Sequence, residues 1–105
     1  MTTLLDTTEP ILYQIENLSS AKEYITNTQN PLIITNSPNS IKYYGILVLD
    51  YIFKTLQKEF PKTITDIIVD VGDDHAALFT AKKLGYKNIK YTGNSNAAKI
   101  MNTEY

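Results

Sequence analysis

The chain of 105 residues contains no cysteine, no arginine and no tryptophan, and its single histidine is His75. The lack of cysteine excludes disulfide bonds, thiolate catalysis and cysteine-based zinc or iron–sulfur sites within this chain. Because all ten basic residues are lysine, no guanidinium is present to grip a phosphate or carboxylate at two points. A bound anion therefore has to be held by backbone amides or by lysine ammonium groups.

Strong net charge and long apolar runs are also absent. Eleven acidic and ten basic residues give a formal net charge of -1 at pH 7, too weak a field to steer the protein towards nucleic acid. No apolar run reaches the roughly 18 residues of a membrane span, and no early apolar segment has a basic leader. We therefore expect a cytoplasmic protein that binds neither nucleic acid nor membrane.

The length and the 43% hydrophobic content predict one globular domain over residues 1–105, which would bury roughly two thirds of its surface. Segments with strand-like and helix-like periodicity alternate along the chain. Strands are predicted within PILYQIEN, PLIITNSP, TITDIIVDVG and NIKYTG, and helices within residues 18–31, 39–60, 75–85 and 94–105. This alternation predicts a three-layer α/β domain with a largely parallel four-stranded sheet.

The sequence also predicts the positions of two strands in the sheet and the start of the first helix. The first strand alternates in a way that suits a half-exposed edge strand, whereas TITDIIVDVG is apolar on both faces and suits a central one. Ser20 and Glu23 have the spacing of a capping box at the start of the first helix.

The predicted helix over residues 39–60 has an unusually wide apolar surface, because its apolar arc covers roughly 220° at 100° per residue. One interpretation is a homodimer formed through this helix, which contains Ile46, Leu49 and Phe53. The other is a helix buried deeply in its own domain. The pattern favours neither.

An acidic turn follows the predicted central strand. Asp70 lies near the end of the strand, Gly72, Asp73 and Asp74 form the turn, and His75 opens the next helix. The structural interpretation makes Asp73 or Asp74 a helix cap, stabilised by the helix dipole. It leaves Asp70 unexplained, because a carboxylate in an apolar strand is costly unless it is paired or wet.

The functional interpretation places a ligand at the carboxyl ends of the parallel strands, where ligands collect in open sheets. Asp70, Asp73 and Asp74 could then hold Mg²⁺, and His75 could exchange a proton near neutral pH. Two more strand ends share the rim and could help to hold a small anionic ligand through hydroxyl, side-chain amide and backbone N–H groups. The first contributes Thr35, Asn36, Ser37 and Ser40, and the second contributes Thr92, Gly93, Asn94 and Ser95.

The segment VDVGDDHAALFTAKKLGYKNIKYTG resembles the strand-turn-helix-strand of a small uncharacterised bacterial α/β family with a D-x-G-D-[DA] turn. The likeness covers about a quarter of the chain. It implies the fold but assigns no reaction to the protein. The same segment resembles the last acidic motif of haloacid-dehalogenase-type phosphatases, which implies that Asp73 and Asp74 hold Mg²⁺. The chain departs from that family at LLDTTEP, where Asp6 has no second acid two residues later. A weaker resemblance to receiver domains lacks a phospho-acceptor on a separate strand.

The sequence therefore predicts a self-associating α/β binding or interaction module that needs no cofactor and has a small-ligand site at the strand ends. The alternative is a Mg²⁺-dependent phosphoryl-transfer or phosphatase-like enzyme built on Asp70, Asp73 and Asp74.

Overall fold

A computed structural model describes residues 9–93 of the chain. Strands and helices alternate in it in the predicted manner. They are β1 (Ile11–Ile15), α1 (Leu18–Asn27), β2 (Leu32–Asn36), α2 (Ser40–Tyr44), α3 (Ile46–Glu59), β3 (Ile64–Gly72), α4 (His75–Lys83) and β4 (Asn88–Tyr91). The predicted last helix, over residues 94–105, lies outside the described residues.

The four strands form one sheet in the order β1-β2-β3-β4, and every neighbouring pair is parallel. The predicted α/β class with a parallel sheet is thus confirmed. As predicted, β1 lies at an edge and β3 lies inside the sheet, between β2 and β4.

The helices that connect the strands pack against one another as a layer. Helix α3 contacts both α1 and α4, while α4 packs on β3 and β4. When parallel strands follow one another in chain order, crossovers of one hand place every helix on the same face of the sheet. The three-layer prediction required helices on both faces, whereas the helices of residues 9–93 cover one face.

The core lies between that helical layer and the covered face of the sheet. Ile34, Val69 and Val71 project from the two inner strands and are fully buried. Phe53 of α3 is also fully buried, and its ring meets the ring of Tyr86 edge to face, with centroids 6.0 Å apart. The apolar alternation of β2 is explained by this one-sided burial.

The predicted long helix is interrupted at Gly45. This glycine has φ 81° and ψ 160° and separates α2 from α3, in a region of backbone conformation that is open almost only to glycine. The first helix also starts earlier than predicted, because Asn17 rather than Ser20 caps it. The Asn17 side chain accepts the Ser20 N–H at 2.9 Å.

The residues expected to carry a homodimer face the interior. Leu49 and Phe53 are buried, and Ile46 packs against the core. The interpretation of α3 as a helix buried in its own domain is therefore correct for these three residues. A different side of the same helix is exposed, and it includes Leu47 and Tyr51.

Candidate functional site

The carboxyl ends of β2, β3 and β4 meet at one edge of the sheet and border a cleft of about 360 Å³. This is where ligands bind in open parallel sheets. The turn after β2 and the start of α2 form one wall, and the strand ends form the other. The polar residues that line the cleft are Asn39, Lys42, Asp70, Asp73, Lys90 and Thr92.

Asp70 is a buried carboxylate in this cleft, and the structure explains how the strand tolerates it. The residue is 5% exposed, and its Oδ1 accepts the Gly72 N–H at 2.9 Å. Its Oδ2 lies 4.0 Å from the Nζ of Lys90, the register partner of Asp70 on β4. A hydrogen bond and a nearby cation both offset the cost of burying the charge.

Asn36, at the end of β2, positions the backbone that carries Asp70. Its Oδ1 accepts the Asp70 N–H at 2.8 Å, and its Nδ2 donates to the Asp70 carbonyl at 2.8 Å. The same Nδ2 donates to the Ser40 hydroxyl at 2.8 Å. The side chain thus bridges β3 to the start of α2 and acts as one more rung of the ladder between β2 and β3.

Asn36 and Ser40 were predicted as rim residues that could help to hold an anion, but their bonds to each other and to Asp70 were not predicted, because asparagine and serine after a strand are ordinary turn formers. One signal was available: an amide side chain directly at the end of the apolar run LIIT. A buried amide at that point has to satisfy four hydrogen-bonding positions, so it is suited to pair with a neighbouring strand.

The acidic residues of the turn divide between two roles. Asp74 caps α4, because its Oδ1 accepts the Ala77 N–H at 3.0 Å. This confirms the capping interpretation for Asp74. Asp73 is exposed and lines the cleft with Asp70. His75 is exposed on the first turn of α4, where its ring meets Phe79 edge to face at 6.3 Å.

The other predicted rim residues differ in how they contribute to the cleft. Thr92 lines it, and the Thr92 N–H donates to the Gly72 carbonyl at 2.7 Å. The Ser37 carbonyl accepts the Ser40 hydroxyl at 2.8 Å, so this residue supports the wall. Gly93 lies against the ring of Tyr91, which leaves no room for a Cβ.

Metal binding by the acidic turn stays a prediction. Within residues 9–93, no three His, Asp or Glu side chains are grouped closely enough to hold a metal ion. Asp70 and Asp73 share the cleft, while the Asp74 carboxylate is engaged as a helix cap.

A second polar group lies at the opposite end of the sheet, beside a cavity of about 270 Å³. The Tyr86 hydroxyl donates to Asp50 Oδ1 at 2.6 Å, and Lys54 Nζ lies 3.1 Å from the same oxygen. Burial, with added contributions from the Asp50 carboxylate, raises the pKa of Tyr86 far above its ordinary value. The phenol therefore remains protonated and acts as a fixed donor.

Together, the fold and the cleft define a small parallel α/β protein with a polar site at the carboxyl ends of its strands. In the part of the chain that the structure covers, no helix combines the length and apolar character needed to cross a bilayer.

The chain is similar to the uncharacterized protein RP547 of Rickettsia prowazekii (strain Madrid E). The two are 57% identical over 88 residues, which cover 84% of this chain and 83% of the relative. The chain therefore belongs to the same bacterial family as that protein, in agreement with the predicted membership of an uncharacterised bacterial family. No family model matches the chain, and no solved structure matches it.

Proposed function

We propose that this protein is a binding module that holds a small anionic ligand in the cleft at the strand ends. The observation that carries the proposal is that two lysines, Lys42 and Lys90, and two carboxylates, Asp70 and Asp73, line one cleft. Convergent polar groups in a concave site are typical of small-molecule binding. A cytoplasmic location, as expected from the sequence, is part of the proposal.

The charges of the cleft narrow the chemistry of the ligand. The first turn of α4 offers little to an anion, because the Asp74 carboxylate already accepts an amide there. Lys42 and Lys90 are then the groups that would hold the negative charge. Asp73 would accept a hydrogen bond from the same ligand. We therefore favour a compound that carries a carboxylate or phosphate beside a hydroxyl or amino group.

The proposal is tested by nuclear magnetic resonance titration with inorganic phosphate and with lactate, which carries a carboxylate beside a hydroxyl. We expect the amide signals of Lys42, Asp73 and Thr92 to shift with one or both probes. Lys42→Gln and Lys90→Gln should each weaken binding two- to fivefold, roughly the contribution of an exposed charge pair. Lys58→Gln, on the exposed side of α3, is the matched control. Shifts spread evenly over surface lysines, or unchanged affinity in both cleft variants, would contradict the proposal.

Mg²⁺-dependent phosphoryl chemistry is the second candidate, because Asp70 and Asp73 line the same cleft. Mg²⁺ is commonly held by one or two carboxylates together with substrate phosphate. Asp74 would have to leave its capping position to join them. We expect Mg²⁺ with a phosphate ester to raise the melting temperature of the native protein and not that of Asp70→Asn. An equal response of both proteins would remove this candidate.

We also propose that the module self-associates through α3. The exposed fractions of Leu47 and Tyr51 are 66% and 64%, which is unusual for such large apolar or aromatic side chains on one helix. Because Leu49 and Phe53 belong to the core, the contact would use the outer side of the helix.

A further inference from the structure

Five exposed apolar or aromatic side chains lie close together in sequence on α2 and the first half of α3, and we name this group the tyrosine patch. Its members are Tyr43, Tyr44, Leu47, Val48 and Tyr51, with exposed fractions from 46% to 81%. On α3, Leu47 and Tyr51 are one turn apart, and Val48 lies beside both. Monomeric proteins seldom leave a contiguous apolar surface of this size uncovered.

The area of the tyrosine patch matches what a stable dimer needs. Its five side chains expose about 600 Å², given typical areas for aromatic and aliphatic residues. A standard interface buries about 800 Å² on each partner, of which roughly 60% is non-polar. The patch could thus supply the whole apolar part of such an interface.

The charge of the tyrosine patch favours a second copy of the same chain. Between Tyr43 and Tyr51 the only charged residue is Asp50. Its side chain is 16% exposed and is held by Lys54 and Tyr86. Two identical surfaces without charge can meet with no like-charge repulsion and no need for a complementary partner.

The composition of the tyrosine patch also suits a two-fold contact. Tyr43 and Tyr51 lie four residues before and after Leu47. In a two-fold symmetric contact, residue i of one copy meets residue j of the other, and j meets i. A two-fold axis near Leu47 would bring Leu47 of each copy against Leu47 of its partner, with the tyrosines of both copies around it. Large amphipathic rings then flank a central aliphatic contact, as is common in interfaces.

From these observations we infer that the protein forms a two-fold symmetric homodimer through the tyrosine patch, with the axis near Leu47. This inference rests on the self-association proposed above and names its surface. Lys42, which lines the cleft, directly precedes Tyr43 of the patch on α2, so the dimer contact would lie next to the cleft.

The first test measures the mass of the full chain by sedimentation equilibrium between low micromolar and millimolar concentrations. We expect a dimer whose dissociation constant rises about 30-fold or more in Leu47→Lys and in Tyr51→Lys, as for central interface residues. Leu12→Lys is the matched control, because Leu12 is 60% exposed on β1, away from the patch. Circular dichroism of each variant establishes that it remains folded.

The second test uses the absence of cysteine, which makes any introduced thiol unique. Leu47→Cys should form a disulfide-linked dimer under mild oxidation, because residues at a two-fold axis come within the 7 Å that a disulfide requires between Cα atoms. Lys58→Cys, near the other end of α3, should remain unlinked.

A native chain that is monomeric at millimolar concentration overturns both the self-association and its surface, and leaves the ligand proposal standing. A dimer that survives Leu47→Lys and Tyr51→Lys overturns the surface alone. A dimer in which Lys58→Cys links as readily as Leu47→Cys overturns the position of the axis.

Discussion

At the scale of single residues, Asn36 shows how a side chain can take the place of a strand. Its amide offers an acceptor and a donor in the positions that backbone C=O and N–H groups would occupy, and Asp70 uses both. The arrangement lets β2 end at Asn36 while β3 continues to Gly72 with its backbone satisfied. The buried Asp70 carboxylate is thereby held at the cleft.

Replacement of Asn36 by alanine should lower the free energy of unfolding by about 2–4 kcal/mol. The change leaves the N–H and C=O of Asp70 buried without these partners, and each such group costs about 1–3 kcal/mol. Asn36→Asp should also destabilise the protein, because a carboxylate cannot donate to the Asp70 carbonyl. Urea unfolding gives the values, with Asn39→Ala as the exposed control. A loss below about 0.5 kcal/mol in Asn36→Ala, the size of an ordinary surface change, would contradict this role.

Tyr86 should make a pH-dependent contribution to stability. Its folded pKa is raised by burial and by Asp50, while the pKa in the unfolded chain is about 10. A raised folded pKa gives stability that is fully present below pH 10 or so and is lost as the pH rises further, because the unfolded phenol then ionises first.

We therefore expect Tyr86→Phe to lower the free energy of unfolding by about 1–2 kcal/mol at pH 7, where the hydrogen bond to Asp50 is intact. The gap between the two proteins should narrow above pH 10. Urea midpoints measured from pH 7 to 10.5 test this, with Lys58→Gln on the exposed side of α3 as a control. A gap that stays constant over the whole range would be inconsistent with the raised pKa.

At the scale of elements, the break at Gly45 decides how α2 and α3 lie. The sequence around it continues the helical pattern on both sides, so periodicity predicts one helix. The glycine conformation lets α2 cover the end of β3 while α3 runs back along the sheet. Gly45 thus divides the predicted long helix into α2, which forms a wall of the cleft, and α3, which packs in the core.

Gly45→Ala should destabilise the protein by about 1–3 kcal/mol, the range for a residue forced into such a backbone conformation. Nothing lies within 4 Å of the Cβ that alanine would add, so the loss would reflect backbone strain alone. Lys58→Ala, at an exposed position of α3, should change stability by less than about 0.5 kcal/mol. Denaturant unfolding of both variants provides the comparison. Equal stability of Gly45→Ala and the native chain would show that this backbone conformation at Gly45 is not required.

At the scale of the whole molecule, some features of the structure follow from local sequence patterns and could be predicted, whereas others depend on long-range packing. Apolar periodicity identified the four strands, and cap chemistry limited the cap of α4 to Asp73 or Asp74, because both depend on neighbours in sequence. The strand order and the single covered face depend on contacts between distant segments. For the same reason the inward direction of Leu49 and Phe53 became clear only when α3 was seen against the sheet. Asn36 was predicted as a rim residue, but its bonds to Asp70 were not, because Asp70 lies 34 residues away.

The arrangement also predicts how stability is distributed over the sheet. The side chains of Ile34 and Val69 are fully buried on the two inner strands, whereas β1 and β4 each have a free edge among the described residues and are more exposed. Backbone hydrogen bonds at exposed edges open by local fluctuations, while those of a buried centre open only when the whole domain unfolds.

We expect amide hydrogen exchange, followed by nuclear magnetic resonance, to be slowest in β2 and β3. The free energies of opening there should equal that of global unfolding, and β4 should exchange faster despite its place next to the cleft. Protection of β4 as strong as that of β3 would contradict this prediction. It would mean that the free edge of β4 is covered in solution, and a dimer through the tyrosine patch on α2 and α3 would not explain such cover.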